Sequence, residues 1–539
     1  MKTKFITAQK EKLLRGQIDR RQFISAAVAA GVALPSAVSI SDAVLAATPK
    51  KGGRLRQGFS AGSTTESLDA LKSTGAVVEI CNNWCWGSNL TELTPDGSVV
   101  PELAESIESS ADAKTWIIKL RKGVEFHNGK ALSQDDVIDS VNRHRGKDTA
   151  SASKALFTQV KDIRKDGTDN VVMELEAGNA DFPFVLGDYR VVIMASDGEG
   201  NVDIMSGNGT GPYAVADYKP GVRAFFKRNP NYFKPDRAHF DEIEHLVLVD
   251  PTARQNALRT GDVDIIDAID PKTAHLMAKA PGIRVQEVTG TQSRNMTMRL
   301  DTPPFDNADL RLALKWAAKR QEMVDKIESG HGAIGNDHPI SPTQQFFNAE
   351  LPQREYDADK AKFHLKKSGM EGATVELVAS PAALDGATNA ALLLKESAAS
   401  IGLTVNVKRV PSDGFWSDVW NKPGNGFTTS YWGGRPTNDW MFATCCVADS
   451  NWNDMAWKGT EAADKFNKLV VQARSELDVA KRKDLYWECQ RLLWEDGGYI
   501  IWGFTNYLHG LRDNVRHPDE IAGNWTLDGC KNAERWWFA

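Results

Sequence analysis

Trp116-Ile-Ile-Lys-Leu-Arg121, then Lys122-Gly123, then Ser133-Gln-Asp-Asp136: this stretch carries the first reading of the fold. Apolar and polar side chains alternate over the first six residues, the period of a half-buried strand. Lys122-Gly123 is a turn signal. Ser133 with two aspartates behind it marks a helix start. Side-chain acceptors there meet free N–H groups, and negative charge meets the positive end of the helix dipole. Val137, Ile138 and Val141 give that helix its apolar face.

Outward from this stretch the alternation of strand-like runs with helical patterns continues, which predicts an α/β protein. A helix is expected from Asp306-Asn307, with Leu310, Ala313, Leu314, Ala317, Val324 and Ile327 at helical spacing. Another begins near Asp357, and a third spans Asp478 to Trp494 and stops at Gly497-Gly498. Cys489 falls on the apolar side of that last helix with Leu485 and Leu492. Gly and Pro punctuate the joins, as in Gly207-Asn-Gly-Thr-Gly-Pro212. There is no internal repeat. At 539 residues the chain exceeds one compact core and predicts two or three lobes.

The first 47 residues differ from the rest. They hold seven basic and three acidic side chains, so the net charge of −6 becomes −10 without them. A chain that acidic is a poor binder of nucleic acid or anionic membranes. Within this segment Arg20-Arg21-Gln22-Phe23-Ile24 precedes an Ala-rich run from Ser25 to about Val38, then small residues to Ala47. That is the layout of a secretory signal, and its paired arginines resemble the twin-arginine type, with cleavage expected near Ala46 to Thr48. The run is too short for a stable membrane span. Six cysteines follow (Cys81, Cys85, Cys445, Cys446, Cys489 and Cys530), too few for a disulfide scaffold. A bond from Cys445 or Cys446 to Cys81 or Cys85 stays open.

Metalloprotease and nucleotide-binding motifs are missing: there is no HExxH and no Walker loop. Gly207-Asn-Gly-Thr-Gly runs into Pro212 and a strand-like segment, so it reads as a tight turn. His331 and His338 do not have metal-ligand spacing. Neither a metal nor a cofactor is expected.

Several blocks resemble one family. Leu103-Ala-Glu-Ser, Trp116 through Lys130, and Asp135 through Arg143 form its signature. Gly209-Thr-Gly-Pro-Tyr213, Lys227 through Phe233, Asp250 through Ile265, Pro303 through Asp306, Tyr356 through Ala361, and Cys489 onward to Val515 follow in order. Together they are similar to the extracellular solute-binding proteins of peptide and opine ABC importers, the dipeptide/oligopeptide-binding type. The resemblance implies an α/β, two-lobed, hinge-closing fold (type II periplasmic binding protein) with an additional inserted domain. It places a signal peptide at 1–47, the first lobe at 48–90, 207–293 and 500–539, the inserted domain at 91–206, and the second lobe at 294–499. It implies a periplasmic monomer that captures a small solute by closure and hands it to membrane permease subunits, without chemistry. Two other classes stay open: an exported hydrolase or oxidoreductase, and a ligand sensor without transport.

The conspicuous candidate site is Ser430-Tyr-Trp-Gly-Gly-Arg-Pro-Thr-Asn-Asp-Trp-Met-Phe442, a loop with close backbone approach. By resemblance Asp439 pairs with a ligand ammonium, a strong charge-assisted bond in a dry cleft. Arg435 and Asn438 stand where peptide binders carry acidic residues. A guanidinium clamps a carboxylate bidentately, so an anionic or zwitterionic solute is expected: a peptide, an opine or an amino-acid derivative. Alternatively, Arg435 and Asp439 pair with each other at the surface. Trp432 and Tyr431 are candidate aromatic walls. Trp416 and Trp420 form another wall or one side of a buried helix. Ser60, Trp86 and Arg294 complete the candidates, Arg294 for the ligand or the hinge.

Overall fold

The computed structural model describes residues 2–539 except 15–17, 35, 39, 41–48, 63, 65, 74–76, 147, 152, 385 and 412–414. Thr115–Leu120 is a strand whose Trp116, Ile118 and Leu120 are buried while Ile117 and Lys119 are exposed. It lies in a four-stranded antiparallel sheet between Ala104–Ser109 and Asn170–Leu175, with Val160–Asp166 beyond. The Gln134–Asn142 helix packs Val137 and Val141 against it, making a core of its own. The cap of that helix works in reverse of the expectation. The Asp136 carboxylate accepts from both the N–H and the hydroxyl of Ser133, at 2.7 Å each.

An eleven-stranded sheet runs through both lobes. In the first lobe Arg54–Phe59 pairs in parallel with Glu242–Val247 and Ile265–Ile266. In the second, Thr374–Ala379 pairs in parallel with Thr404–Arg409 and meets Phe427–Trp432. Two long antiparallel strands, Ile283–Met298 and Tyr499–Arg512, carry the chain across. Their pairing runs from Ile283 opposite Arg512 to Thr289 opposite Asn506, breaks, and resumes at Ser293 opposite Phe504. Such an irregularity bends and twists a ribbon locally, as a hinge requires. Gly290 sits in the break, where a Cβ would come within 2.6 Å of the Thr505 carbonyl oxygen. The limit read at 293/294 borders this break. On the return strand the break lies well inside the strand, past residue 499.

Each lobe buries both faces of its part of the sheet. Phe59, Trp86, Tyr213 and Trp536 mark one core of the first lobe; Leu258, Ile266 and Met277 mark the other. Met296, Leu314, Leu377 and Trp502 lie on one face of the second lobe; Phe442, Trp457, Phe466 and Tyr486 lie on the other. The predicted helix from Asp306-Asn307 is two helices, Ala308–Ala317 and Arg320–Ile327, with Asn307 accepting from the Leu310 N–H. The Arg320 guanidinium takes up the freed carbonyl of Lys315 at the break and pairs with Asp337. Asp357 and Asp478 cap the next expected helices, Ala358–Ser368 and Val479–Glu495.

The segment 526–539 returns to the first lobe and completes a buried charge cluster. The Lys234 ammonium lies 2.5, 2.6 and 3.0 Å from Glu92, Glu102 and Glu534. Lys531 reaches Glu102 at 3.0 Å, and Arg535 bridges Glu92 and Asp528. These three glutamates could by spacing hold a metal ion, but an ammonium already stands among them.

The six cysteines are free and buried. Cys81, Cys85 and Cys530 lie in the core of the first lobe, and Cys445, Cys446 and Cys489 in that of the second. The bond left open between the two groups is therefore corrected: different cores hold them apart. Near the start, Asp19 and Gln22 form a reciprocal capping box for the Arg20–Ala29 helix. No helix among the described residues is long and apolar enough to cross a membrane. The expected cleavage site lies outside the described residues.

Candidate functional site

The carboxyl ends of strands from both lobes open on one crevice. In twisted α/β sheets such ends are where backbone groups and loop side chains are left to meet a ligand. Phe59 gives way to Ser60, and Ile266 to Asp267, in the first lobe. Ala379 leads toward Gly386 and the helix from Ala387, and Trp432 toward Gly433, in the second. A cavity of about 280 Å³ lies between them. Asp267, Asp270 and Lys272 line it from one lobe, and Arg294, Glu328 and Asn389 from the other.

The Ser60 N–H and hydroxyl donate to the two oxygens of Asp267, at 2.9 and 2.7 Å. Burial raises the Asp267 carboxyl, and the Ser60 bonds and the Arg254 charge oppose it. Arg294 donates from Nε to Glu328 at 2.8 Å and from Nη1 to Gln292 at 2.9 Å. Its strand neighbour Tyr431 carries Trp416 edge-on, with centroids 5.6 Å apart. Trp416 is 40% exposed, so the buried-helix alternative fails: Phe415–Val419 is a single turn on the rim of the sheet.

The loop after Trp432 folds back on the crossing strand. At Gly434 a Cβ would fall 2.1 Å from the Thr291 hydroxyl oxygen, so only glycine fits there. Arg435 donates from Nη1 to the carbonyls of Gly433 and Gly434, at 2.8 and 3.3 Å. Burial lowers its pKa, and it is close enough to Tyr189, Arg190 and Asp188 for their charges to act on it. The surface pair of Arg435 with Asp439 is not formed: among the described residues Arg435 bonds its own loop and Asp439 another arginine.

Asp439 pairs instead with Arg474, both carboxylate oxygens accepting from Nε at 3.0 Å. It is 7% exposed, and burial raises its carboxyl while Arg474 opposes the rise. The carboxylate expected to meet a ligand ammonium thus already has its cation. Asn438 is taken up by the Gln345 carbonyl and by Gln490. Trp432 is 6% exposed and donates to the Tyr499 hydroxyl, on the face of the sheet opposite Tyr431. Trp86 is 1% exposed under the Gly209 and Gly211 turn, so it is core and not wall. Of the sequence candidates, Arg294 lines the cavity and Ser60 bonds Asp267 on its wall, while Tyr431 and Trp416 pack on each other and Arg435 bonds its own loop. Trp86, Trp432, Asn438 and Asp439 are spent on packing and pairing.

Sequence reasoning missed Asp188, Tyr189, Arg190 and Trp525. Arg190 lies over the Tyr189 ring, 4.2 Å from its centroid, and Tyr189 meets Trp525 edge-on at 6.0 Å. A run of Asp-Tyr-Arg with neither period nor turn chemistry gives no signal in one sequence.

The family model of bacterial extracellular solute-binding proteins, family 5 (Middle), matches residues 98–454. Di/tripeptide-binding protein 1 of Pseudomonas aeruginosa is 26% identical over 448 residues, covering 76% of this chain and 81% of the relative. The dipeptide-binding protein of Escherichia coli is 24% identical over 78% of this chain and 83% of the relative. Among solved structures, HbpA2 from Haemophilus parasuis superposes with a TM-score of 0.78 at 20% identity, over 88% of this chain and 99% of its own. The A. tumefaciens binding protein AgaA in complex with agropinic acid gives 0.71 at 22%, over 90% and 99%.

Proposed function

From the premise that the chain belongs to family 5 of the bacterial extracellular solute-binding proteins, components of ABC importers, we propose that its interlobe crevice captures a small anionic or zwitterionic solute. Arg435 is the observation that carries this reading. Its guanidinium is held in place by carbonyls of its own loop and not consumed by a carboxylate. Such a group is pre-organised for an oxyanion, and enclosure strengthens the bond by stripping water from it. Tyr431 and Trp416 supply a flat apolar wall beside it.

The solute is a peptide, an opine or a related amino-acid derivative, and relatives that bind dipeptides or agropinic acid support that range. The protein binds without chemistry, acts as a monomer, and delivers its cargo to permease subunits. Export follows the twin-arginine route with cleavage near Ala46 to Thr48, a reading supported by Arg20-Arg21-Gln22-Phe23. The division into two lobes and an inserted domain follows the limits given by the resemblance, with the hinge at the break in strand pairing.

A thermal-shift screen against dipeptides, opines and neutral sugars tests the reading. One chemical class of acids should raise the melting temperature, by about 2.7 kcal/mol of stabilisation at ~100 times the dissociation constant. Arg435→Lys should weaken that acid by about tenfold, because an ammonium cannot make the bidentate pair. A shift with sugars alone sinks the proposal.

A further inference from the structure

We propose that Arg190 of the first lobe and Arg435 of the second are the two jaws of a clamp on one oxyanionic group of the solute, so that lobe closure depends on that group. This rests on the crevice being the solute site. The two guanidiniums come from opposite sides of the hinge and are brought together by the packing between them. Gly434 rests on Thr291, the Thr291 hydroxyl donates to the Asn524 carbonyl at 3.2 Å, and the neighbouring Trp525 ring meets Tyr189. Tyr189 in turn is the platform under Arg190. Backbone and ring contacts thus fix both side chains before any solute arrives.

Neither guanidinium hydrogen-bonds a carboxylate. Arg190 donates from Nε to the Ser73 carbonyl at 3.0 Å, and its Nη1 lies 3.8 Å from Asp188, beyond hydrogen-bond reach. Asp188, the carboxylate beside Arg190, already accepts from the Arg190 N–H at 3.0 Å and the Ser153 hydroxyl at 3.2 Å. Among the described residues, Nη2 of Arg190 and both Nε and Nη2 of Arg435 have no hydrogen-bond partner. Two half-buried guanidiniums with spare donors, on loops linked by those contacts, would repel each other when the lobes close empty. A planar oxyanion between them removes the repulsion and takes up the spare donors. The chemistry selected is a carboxylate, or another acid group with two acceptor oxygens in one plane.

The test reads closure and binding separately. Fluorophores at V222C and V471C, exposed positions on the first and second lobes, report the distance between lobes. Without solute, Arg190→Gln should shift the population toward the closed form, since one of two like charges is gone. Arg190→Lys, which keeps the charge, should not. With alanylglutamate or iminodiacetate as probe, Arg190→Gln should lose about 10- to 100-fold in affinity. The matching carboxamide probes should bind the wild type weakly and be indifferent to the substitution. Unchanged closure in the empty Arg190→Gln protein, or equal binding of acid and carboxamide, overturns the clamp. Failure of every acid to bind the wild type overturns the solute class proposed above, while the empty-protein measurement still decides the clamp.

Discussion

Two seams join the lobes, and they treat charge in opposite ways. Along the side seam, Asp181 of the inserted sheet's neighbourhood meets Arg482 of the second lobe in a buried ion pair, and the Ala180 N–H donates to the Arg474 carbonyl at 2.6 Å. Arg474 itself holds Asp439. In the clamp proposed above, by contrast, the Arg190 and Arg435 guanidiniums make no hydrogen bond to a carboxylate. Paired charges hold a closed shape in the absence of anything else, whereas unpaired ones ask for a partner. The difference sets Asp439, the most conspicuous acid in the sequence, on the side where its charge is already matched by Arg474.

Breaking the side seam gives the largest expected effect. Arg482→Met strands a buried carboxylate and should cost about 3–5 kcal/mol in the contact between lobes. Chemical denaturation together with the interlobe distance checks this, and a variant as stable and as closed as wild type removes the side seam as the holding contact. Next comes a carboxylate that is satisfied without any cation. Asp454 accepts from the Tyr499 hydroxyl at 2.6 Å and from Trp420 at 3.1 Å, and burial pushes its pKa up to about 6 against those bonds. A folded pKa raised above the unfolded value means that the folded state holds the extra proton. The contribution to stability is then fully present below about pH 4 and is lost as the pH rises through about 6. The amount is on the order of 2–3 kcal/mol, and Asp454→Asn should flatten that part of the curve of melting temperature against pH. A wild-type curve with no fall over that range would mean that neutral donors do as well as a cation. The smallest effect is expected at Asp439→Ala. It should cost about 1–2 kcal/mol of stability, discounted because Arg474 is one-third exposed, and leave solute affinity nearly unchanged. A collapse of affinity at intact stability would return Asp439 to the crevice and dissolve the contrast between seams.

Local structure was legible where chemistry and period act within a few residues. Thr115–Leu120, the caps at Asn307, Asp357 and Asp478, and the stop before Gly497 are of this kind. Ala318 was not, because the break there is held by Arg320 reaching back to carbonyls and across to Asp337. The candidate loop at Tyr431 and Arg435 was visible through its glycines and aromatics. Which of its residues face the crevice was not, since alternation across a strand puts Trp432 and Tyr431 on opposite sides and burial decides between them. Arg474 lies 35 residues beyond Asp439, and Tyr189 meets Trp525 only by folding. Partners at that separation leave no trace in spacing.

The cluster around Lys234 has a consequence for how the chain is made. Glu92, Glu102 and Lys234 are synthesised long before Lys531, Glu534 and Arg535, yet all six neutralise one another in one buried space. A nascent chain that has not released its last residues from the ribosome carries two acidic side chains there against a single ammonium, and its first lobe cannot shut over them cheaply. The lobe made first is therefore finished last. A chain truncated before Asp528 would betray itself by a soft N-terminal half, open to proteolysis before it reached any membrane.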